Sequence, residues 1–350
     1  MGEPMKRTGK LPYLSFCYER RFGIELEINA FDGKNRPDQG QKPAGIDDVA
    51  MIVAKYSTEG TDIREWEHTH NNDVWVIKPD SSCGMEVCTP IYKGATGLSK
   101  VCKVVEAFYS SPKIKVDNRC SVHIHVEVAD LSEEQLGSTI AWWLKCEPLF
   151  MDSVPPHRKR NRYCQYMGFN NIVQCNTKIT CKDLIRKVGN VKYHSMNTKQ
   201  LLAGGRKTIE FRIIEGDGCK DPYLIKNWTR LIVHFVEMTC RKPFPIDFQE
   251  GNPFSGFCWL DPQDVFKVLG FDPTEYEISP GLQQTRNWFM ARLQHYMSKD
   301  LHEGYRQFAY SEFVKMLDDY KKNGVTIAPE EHLFPANDLT KALYSEDCKV

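Results

Sequence analysis

Three stretches of this chain alternate between apolar and polar residues, and each gathers reactive side chains on its polar side. In 22–29 (FGIELEIN), Ile24, Leu26 and Ile28 share one face and Glu25 and Glu27 the other. In 120–128 (CSVHIHVEV), Val122, Ile124 and Val126 oppose His123 and His125; in 208–214 (TIEFRII), Ile209, Phe211 and Ile213 oppose Glu210 and Arg212. A period of two is that of a half-buried β-strand, with same-face neighbours roughly 6.6 Å apart. Two shorter strands, 74–78 (VWVIK) and 85–89 (MEVCT), flank a Pro-Asp-Ser-Ser-Cys-Gly linker that reads as a hairpin-like turn. An edge strand is expected near 14–18.

Helical periodicity appears over 46–57, 96–110, 132–151 and 221–240. The third opens on a Ser-x-x-Gln capping pattern and the fourth on Asp221-Pro222. The polar segments 32–45 and 155–171 read as loops, the second lying over the open face of the sheet. Beyond Arg241, proline-rich connectors lead to helical patterns at 261–269, 284–299 and 310–323. The expected fold is α+β: an antiparallel or mixed sheet with helices on one face, formed by residues 1–240, plus a helical C-terminal appendage over 241–350 packed on it.

The chain has 350 residues, 41% hydrophobic and 11% aromatic, as a folded globular protein requires. Lys plus Arg and Asp plus Glu are 46 each, so no overall charge favours nucleic acid or an anionic membrane. No apolar run approaches the roughly 20 residues of a membrane-spanning helix, and the N-terminal ten residues lack a signal-peptide core, so a cytoplasmic location is expected. Thirteen cysteines, an odd number with no C-x-x-C pair, read as reduced packing thiols.

The polar faces define the candidate chemistry. Glu25 with Glu27, Asp80 with Glu86, His123 with His125, Asn197 within KYHSMN, and Glu210 with Arg212 can converge on one side of the sheet. Clustered carboxylates repel and take up protons unless cations neutralise them, and oxygen-rich ligation points to Mg²⁺ or Mn²⁺. Glu210 would hold the metal, and Arg212, two residues on, would grip a phosphoryl oxygen with its planar fork. Taken singly, E-x-E and E-x-R often mark no more than a salt-bridged surface; their joint occurrence with H-x-H, each backed by apolar residues, is the signal. A second H-x-H, His68-Thr69-His70, lies in a polar loop and reads as solvent-facing. The cation-rich run 157–163 (HRKRNRY) offers Arg158 and Arg162 as a clamp for ATP phosphates or an acidic substrate. With Tyr163, Tyr166 and Phe169 interleaved, it also leaves nucleic acid open as a partner.

In order along the chain, F-G-I-E-L-E, W-V-I-K-P-D-S-S, G-M-E-V-C-T-P-I, C-S-V-H-I-H-V, R-Y-C, K-Y-H-S-M-N and T-I-E-F-R resemble the amidoligase family. Its members are ATP-dependent carboxylate–amine ligases related to glutamine synthetase and glutamate–cysteine ligase. The resemblance covers about 20–240 and implies a curved, mainly antiparallel sheet of the glutamine synthetase catalytic type binding ATP and two or three Mg²⁺ ions. It implies metal ligation by Glu25, Glu27, Glu86, His123 and Glu210, phosphoryl contact by Arg212, and a nucleotide beside His125. The usual D-G-S turn is here Asp80-Ser81-Ser82, and the usual C-G-L-H is Cys120-Ser121-Val122-His123. The implied reaction joins a small-molecule or peptide carboxylate to an amine through an acyl phosphate. Rival readings are a non-catalytic nucleotide- or metal-binding module contacting nucleic acid, and a metal-dependent hydrolase.

Overall fold

A computed structural model of the chain describes residues 11–16, 19–29, 45–63, 72–167, 181–188, 191–202, 207–243, 260–298 and 304–327. The loop 32–44, the His68-Thr69-His70 motif, Phe169 and most of the proline-rich connector lie outside these residues.

The alternating stretches form strands as their periodicity dictates. The main sheet has eight strands: β2 (Arg21–Ile28), β3 (Thr61–Ile63), β4 (Trp75–Asp80), β5 (Gly84–Cys88), β6 (Tyr92–Lys93), β7 (Ser121–Glu127), β8 (Met196–Asn197) and β9 (Thr208–Glu215). They run in the order β3-β4-β5-β2-β7-β9-β8, with β6 also pairing β2. Every pairing is antiparallel except β3 with β4. The sheet is thus mainly antiparallel in a mixed α/β fold.

The N-terminal expectation is corrected. The strand there is β1 (Tyr13–Leu14), which pairs in parallel with β10 (Glu277–Ile278) in a separate two-stranded sheet rather than edging the main one. Residues 155–171 are likewise not all loop: a helical turn, Pro156–Lys159, opens the segment, started by Pro156.

The apolar faces of β2, β7 and β9 pack under helices. Ile24, Leu26, Ile124, Val126 and Phe211 are at most 1% exposed. The Trp143 ring of helix Glu133–Asp152 meets Phe211 edge-on at 4.9 Å, and Phe235 of helix Pro222–Thr239 closes the same aromatic cluster. Ser132 and Gln135 form the capping box the sequence signals, and Asp221 caps Pro222–Thr239 through the amides of Tyr223 and Leu224. One apolar core runs from Phe16 to Val325, so the C-terminal helices Pro262–Val268, Pro280–Met297 and Gly304–Lys322 share it with the sheet.

A bulge interrupts the β7–β9 ladder. Val122 pairs with Ile214 and Ile124 with Phe211, so Arg212 and Ile213 together oppose His123. Such a bulge re-aims the side chains at its position, and here it lies at the residues with the candidate chemistry.

Candidate active site

Strand register assembles the polar face. Glu25 sits between Cys88 on β5 and His123 on β7; Glu27 pairs with Glu86, Glu86 with Lys78, and Glu210 with both His125 and Asn197. Cross-strand partners lie about 4.5–5.5 Å apart at Cβ, so side chains distant in sequence become neighbours. They floor a polar cleft of about 830 Å³, rimmed by Asp80, Lys192, Tyr193 and Lys199.

Within it His123 is 3% exposed. Its Nδ1 is 3.1 Å from Glu25 Oε2 and 3.5 Å from Glu210 Oε1, and its Nε2 is 2.9 Å from Ser121 Oγ and 3.6 Å from Glu27 Oε1. Ser121 donates to Glu27 Oε2 at 2.5 Å. Asn197 Nδ2 donates to Glu210 Oε2 at 2.7 Å, and Arg212 Nη1 donates to Glu210 Oε1 while its Nε reaches the Tyr163 carbonyl at 3.2 Å. On the other flank Lys78 Nζ pairs with Glu86 Oε1 at 2.7 Å, and the Cys88 thiol donates to the same oxygen at 2.9 Å.

Electrostatics in the cluster follow from burial opposed by near charges. Burial pushes the Glu25 carboxyl up, but the imidazoles of His125 and His123 hold it well below the usual carboxylate range. Burial works against a charged His125, yet Glu25, then Glu210 and Glu86, raise it to about 9. Glu86 rises to about 7 because burial and Glu25 outweigh Lys78. Glu210 stays below the usual value despite burial, held by His125, His123 and Arg212. In this arrangement protonated imidazole, lysine and arginine balance the carboxylates, a role that divalent cations can take over.

The donor set fits a hard divalent cation. Glu25, His125 and Glu210 each present a donor atom within 4.8 Å of the others, as do Glu25, Glu86 and Cys88. His125 Nε2 is 3.1 Å from Glu25 Oε1 but outside hydrogen-bond geometry, which leaves a buried nitrogen without a hydrogen-bond partner beside two carboxylates. Carboxylates with imidazole suit Mg²⁺ or Mn²⁺.

Glu25, Glu27, Glu86, His123, His125, Asn197, Glu210 and Arg212 thus come together in one cleft. Asp80 stays at its rim, where Oδ1 closes the β4–β5 turn on the amides of Ser82 and Cys83 at 2.7 and 3.1 Å. Of the two arginines expected as a phosphate clamp, Arg158 lines this cleft and Arg162 is not among its lining residues. Arg158 is 2% exposed, and its Nε and Nη2 donate to the carbonyls of Ile213 and Arg212, the bulged residues, so it supports the strand at the wall of the cleft. Arg162 is exposed and turned onto Tyr163, 4.7 Å from the ring centre and 2.6 Å from the hydroxyl. Sequence reasoning missed Lys78, Cys88 and Ser121. Each shares a face with a selected residue at i±2 or across a strand pair, which was the available signal. Cys88 and the seven other cysteines described as buried form no disulfide.

A smaller pocket opens beside Glu25 and His125, lined by the Gly23 backbone, Thr89, Ile91, Thr208 and the Arg21–Glu127 ion pair. A Cβ built on Gly23 would meet nothing within 4 Å.

An antiparallel sheet that floors a cleft with carboxylates, imidazoles and an arginine defines a candidate metal-dependent enzyme. Residues 18–236 match the family described as "Putative amidoligase enzyme", and the chain belongs to that family. No curated protein matches the chain. Among solved structures it is similar to a bifunctional glutathione synthetase from Pasteurella multocida at 11% identity and a TM-score of 0.37, over 90% of this chain and half of that one. No helix among the described residues is long and apolar enough to cross a membrane.

Proposed function

We propose that this chain is an ATP-dependent carboxylate–amine ligase that forms an amide through an acyl phosphate. The observation that carries this reading is that Arg212 bonds Glu210, a member of the candidate cation cluster, so a group bound by a metal there would also come within reach of a guanidinium. Glu25, Glu27, Glu86, His123 and Glu210 would hold Mg²⁺ or Mn²⁺, with His125 and Cys88 adjoining. Such cations, when bound, offset charge on phosphate oxygens.

The substrate carboxylate attacks the γ-phosphorus of ATP, forming a C–O–P linkage and releasing ADP. An amine then attacks the activated carbonyl and expels phosphate, which leaves with the proton lost from the nitrogen, so that a neutral amide remains. Arg212 orients and stabilises the transferring phosphoryl group, and Asn197 and the Tyr163 carbonyl fix the Glu210–Arg212 pair. The pocket beside His125 would take the nucleoside: Gly23 leaves it room, and it runs along β2 from Glu25 to Arg21, roughly 13 Å at the rise of a strand. The substrates are a small-molecule or peptide carboxylate and an amine, held in the wider part of the cleft beside Lys192, Tyr193 and Lys199.

The test is incubation with Mg-ATP and pools of carboxylates and amines, followed by mass spectrometry. ADP together with a new amide supports the ligase. Nucleotide binding without turnover, or turnover without ATP, would replace it with a binding module or a hydrolase.

A further inference from the structure

Helix Pro280–Met297 lies beyond the family match, yet it is bonded to the strand that carries Arg212. Arg292 is 1% exposed and sits among the rings of Tyr296, Trp288 and Trp228 at 5.0, 5.3 and 5.7 Å. Its Nη2 donates to Glu215 Oε1 at 2.5 Å and its Nε to the Ser153 carbonyl at 2.8 Å. Glu215 ends β9, three residues after Arg212. Ser153 ends helix Glu133–Asp152 and leads directly into the turn that carries Arg158, whose guanidinium holds the carbonyls of the Arg212–Ile213 bulge.

From this geometry we infer that Arg292 is a positioning residue: it locks β9 to the 153–158 segment and so sets where Arg212 and Glu210 stand in the cleft. A buried guanidinium with two fixed acceptors is rigid, because losing either bond strands a desolvated group. A bulge is the part of a strand least constrained by its ladder, so its geometry depends on what holds it from outside. Here those holders are the Ser195 carbonyl, which accepts the Arg212 amide at 2.8 Å, Arg158 and, through Glu215 and Ser153, Arg292. Helix Pro280–Met297 is itself fixed to helix Pro222–Thr239 by Thr285 on Asn227 and Arg230 on Gln284, both at 2.9 Å. Helix Pro280–Met297 thereby becomes part of the active-site scaffold. This inference rests on the reading of the cleft as a cation site.

Arg292→Met, Arg292→Lys and Glu215→Gln should be compared with the wild type by Mn²⁺ titration and by amide hydrogen exchange, at a temperature where each is fully folded. Arg292→Met is expected to weaken Mn²⁺ binding about tenfold, as loss of an outer support typically does, and to speed exchange over 208–215 while 75–80 is unchanged. Arg292→Lys, able to reach one acceptor, should recover part of the affinity, and Arg292→Met with Glu215→Gln should be no worse than the more severe single change. Folded Arg292→Met with wild-type Mn²⁺ affinity and wild-type protection at 208–215 overturns the inference. Should that variant not fold, Glu215→Gln, close in shape, answers by the same readouts. Should the wild type itself bind no Mn²⁺, the cation reading fails, and unchanged protection at 208–215 still decides against Arg292.

Discussion

Replacing Arg212 with alanine separates what the guanidinium does for the fold from what it does for the reaction. In the resting protein Arg212 is 7% exposed and bonds Glu210 Oε1 and the Tyr163 carbonyl. Its removal does not isolate Glu210, which keeps Asn197 at 2.7 Å and His123 at 3.5 Å. The stability lost should therefore be about 1.5–3 kcal/mol, the value of a charge-assisted hydrogen bond rather than of an abandoned buried charge. The kinetic loss should be larger in proportion, because a donor aimed at developing phosphoryl charge acts most strongly in the transition state. About 10²–10³ in kcat is expected, or about 2.7–4 kcal/mol. Arg212→Lys keeps the charge but not the planar fork, so it should fall between the two. The assay is ADP release under saturating Mg-ATP, carboxylate and amine, with the folded fraction measured by near-UV circular dichroism. A folded Arg212→Ala protein with wild-type kcat would refute the role assigned to this side chain.

Three further outcomes follow from particular contacts. Burial pushes the His234 ring down to about 4, and its Nε2 faces the Leu269 carbonyl at 2.7 Å. The unfolded chain takes up this proton near 6.5 and the folded one only near 4, so stability is full above pH 6.5 and falls by about 3 kcal/mol towards pH 4. His234→Gln should flatten the thermal midpoint over that window, and an unchanged slope would sink the assignment. Gly23→Val adds a side chain to open space in the pocket beside His125, so KM for ATP should rise about tenfold or more with the thermal midpoint preserved; an unchanged KM places the nucleoside elsewhere. Gly216→Ala puts a Cβ 2.7 Å from Cys120 Cβ and 2.8 Å from its carbonyl oxygen, which chemical denaturation should register as about 1–3 kcal/mol of lost stability.

The strands of the site were legible because Ile24, Leu26 and Ile28, Val122, Ile124 and Val126, and Ile209 and Phe211 alternate without a break against their polar neighbours. Pattern of that kind fixes which residues share a face but not which strands lie side by side. The pairing of Glu25 with both Cys88 and His123, which brings the thiol into the cluster, was therefore hidden. The bulge was hidden too: Ile213 and Ile214 are both fully buried, a break in alternation that reads from sequence as one more apolar residue. Cation density in 157–163 says nothing of which side chain turns inward; the helical turn at Pro156 directs Arg158 onto β9 at the wall of the cleft, while Arg162 stays exposed. The pairing of β1 with β10 joins segments more than 260 residues apart, and strands two residues long leave no periodic trace.

The account stands on acidic and imidazole groups from separate strands sharing divalent cations. Equilibrium titration with Mn²⁺, followed by its paramagnetic signal, tests this most directly in the wild type and in Glu25→Gln/Glu210→Gln, whose side chains belong to the Glu25, His125 and Glu210 donor group. Saturable binding by the wild type that is lost in the folded double variant is the predicted result. Equal binding by both proteins, or none by either, would contradict it.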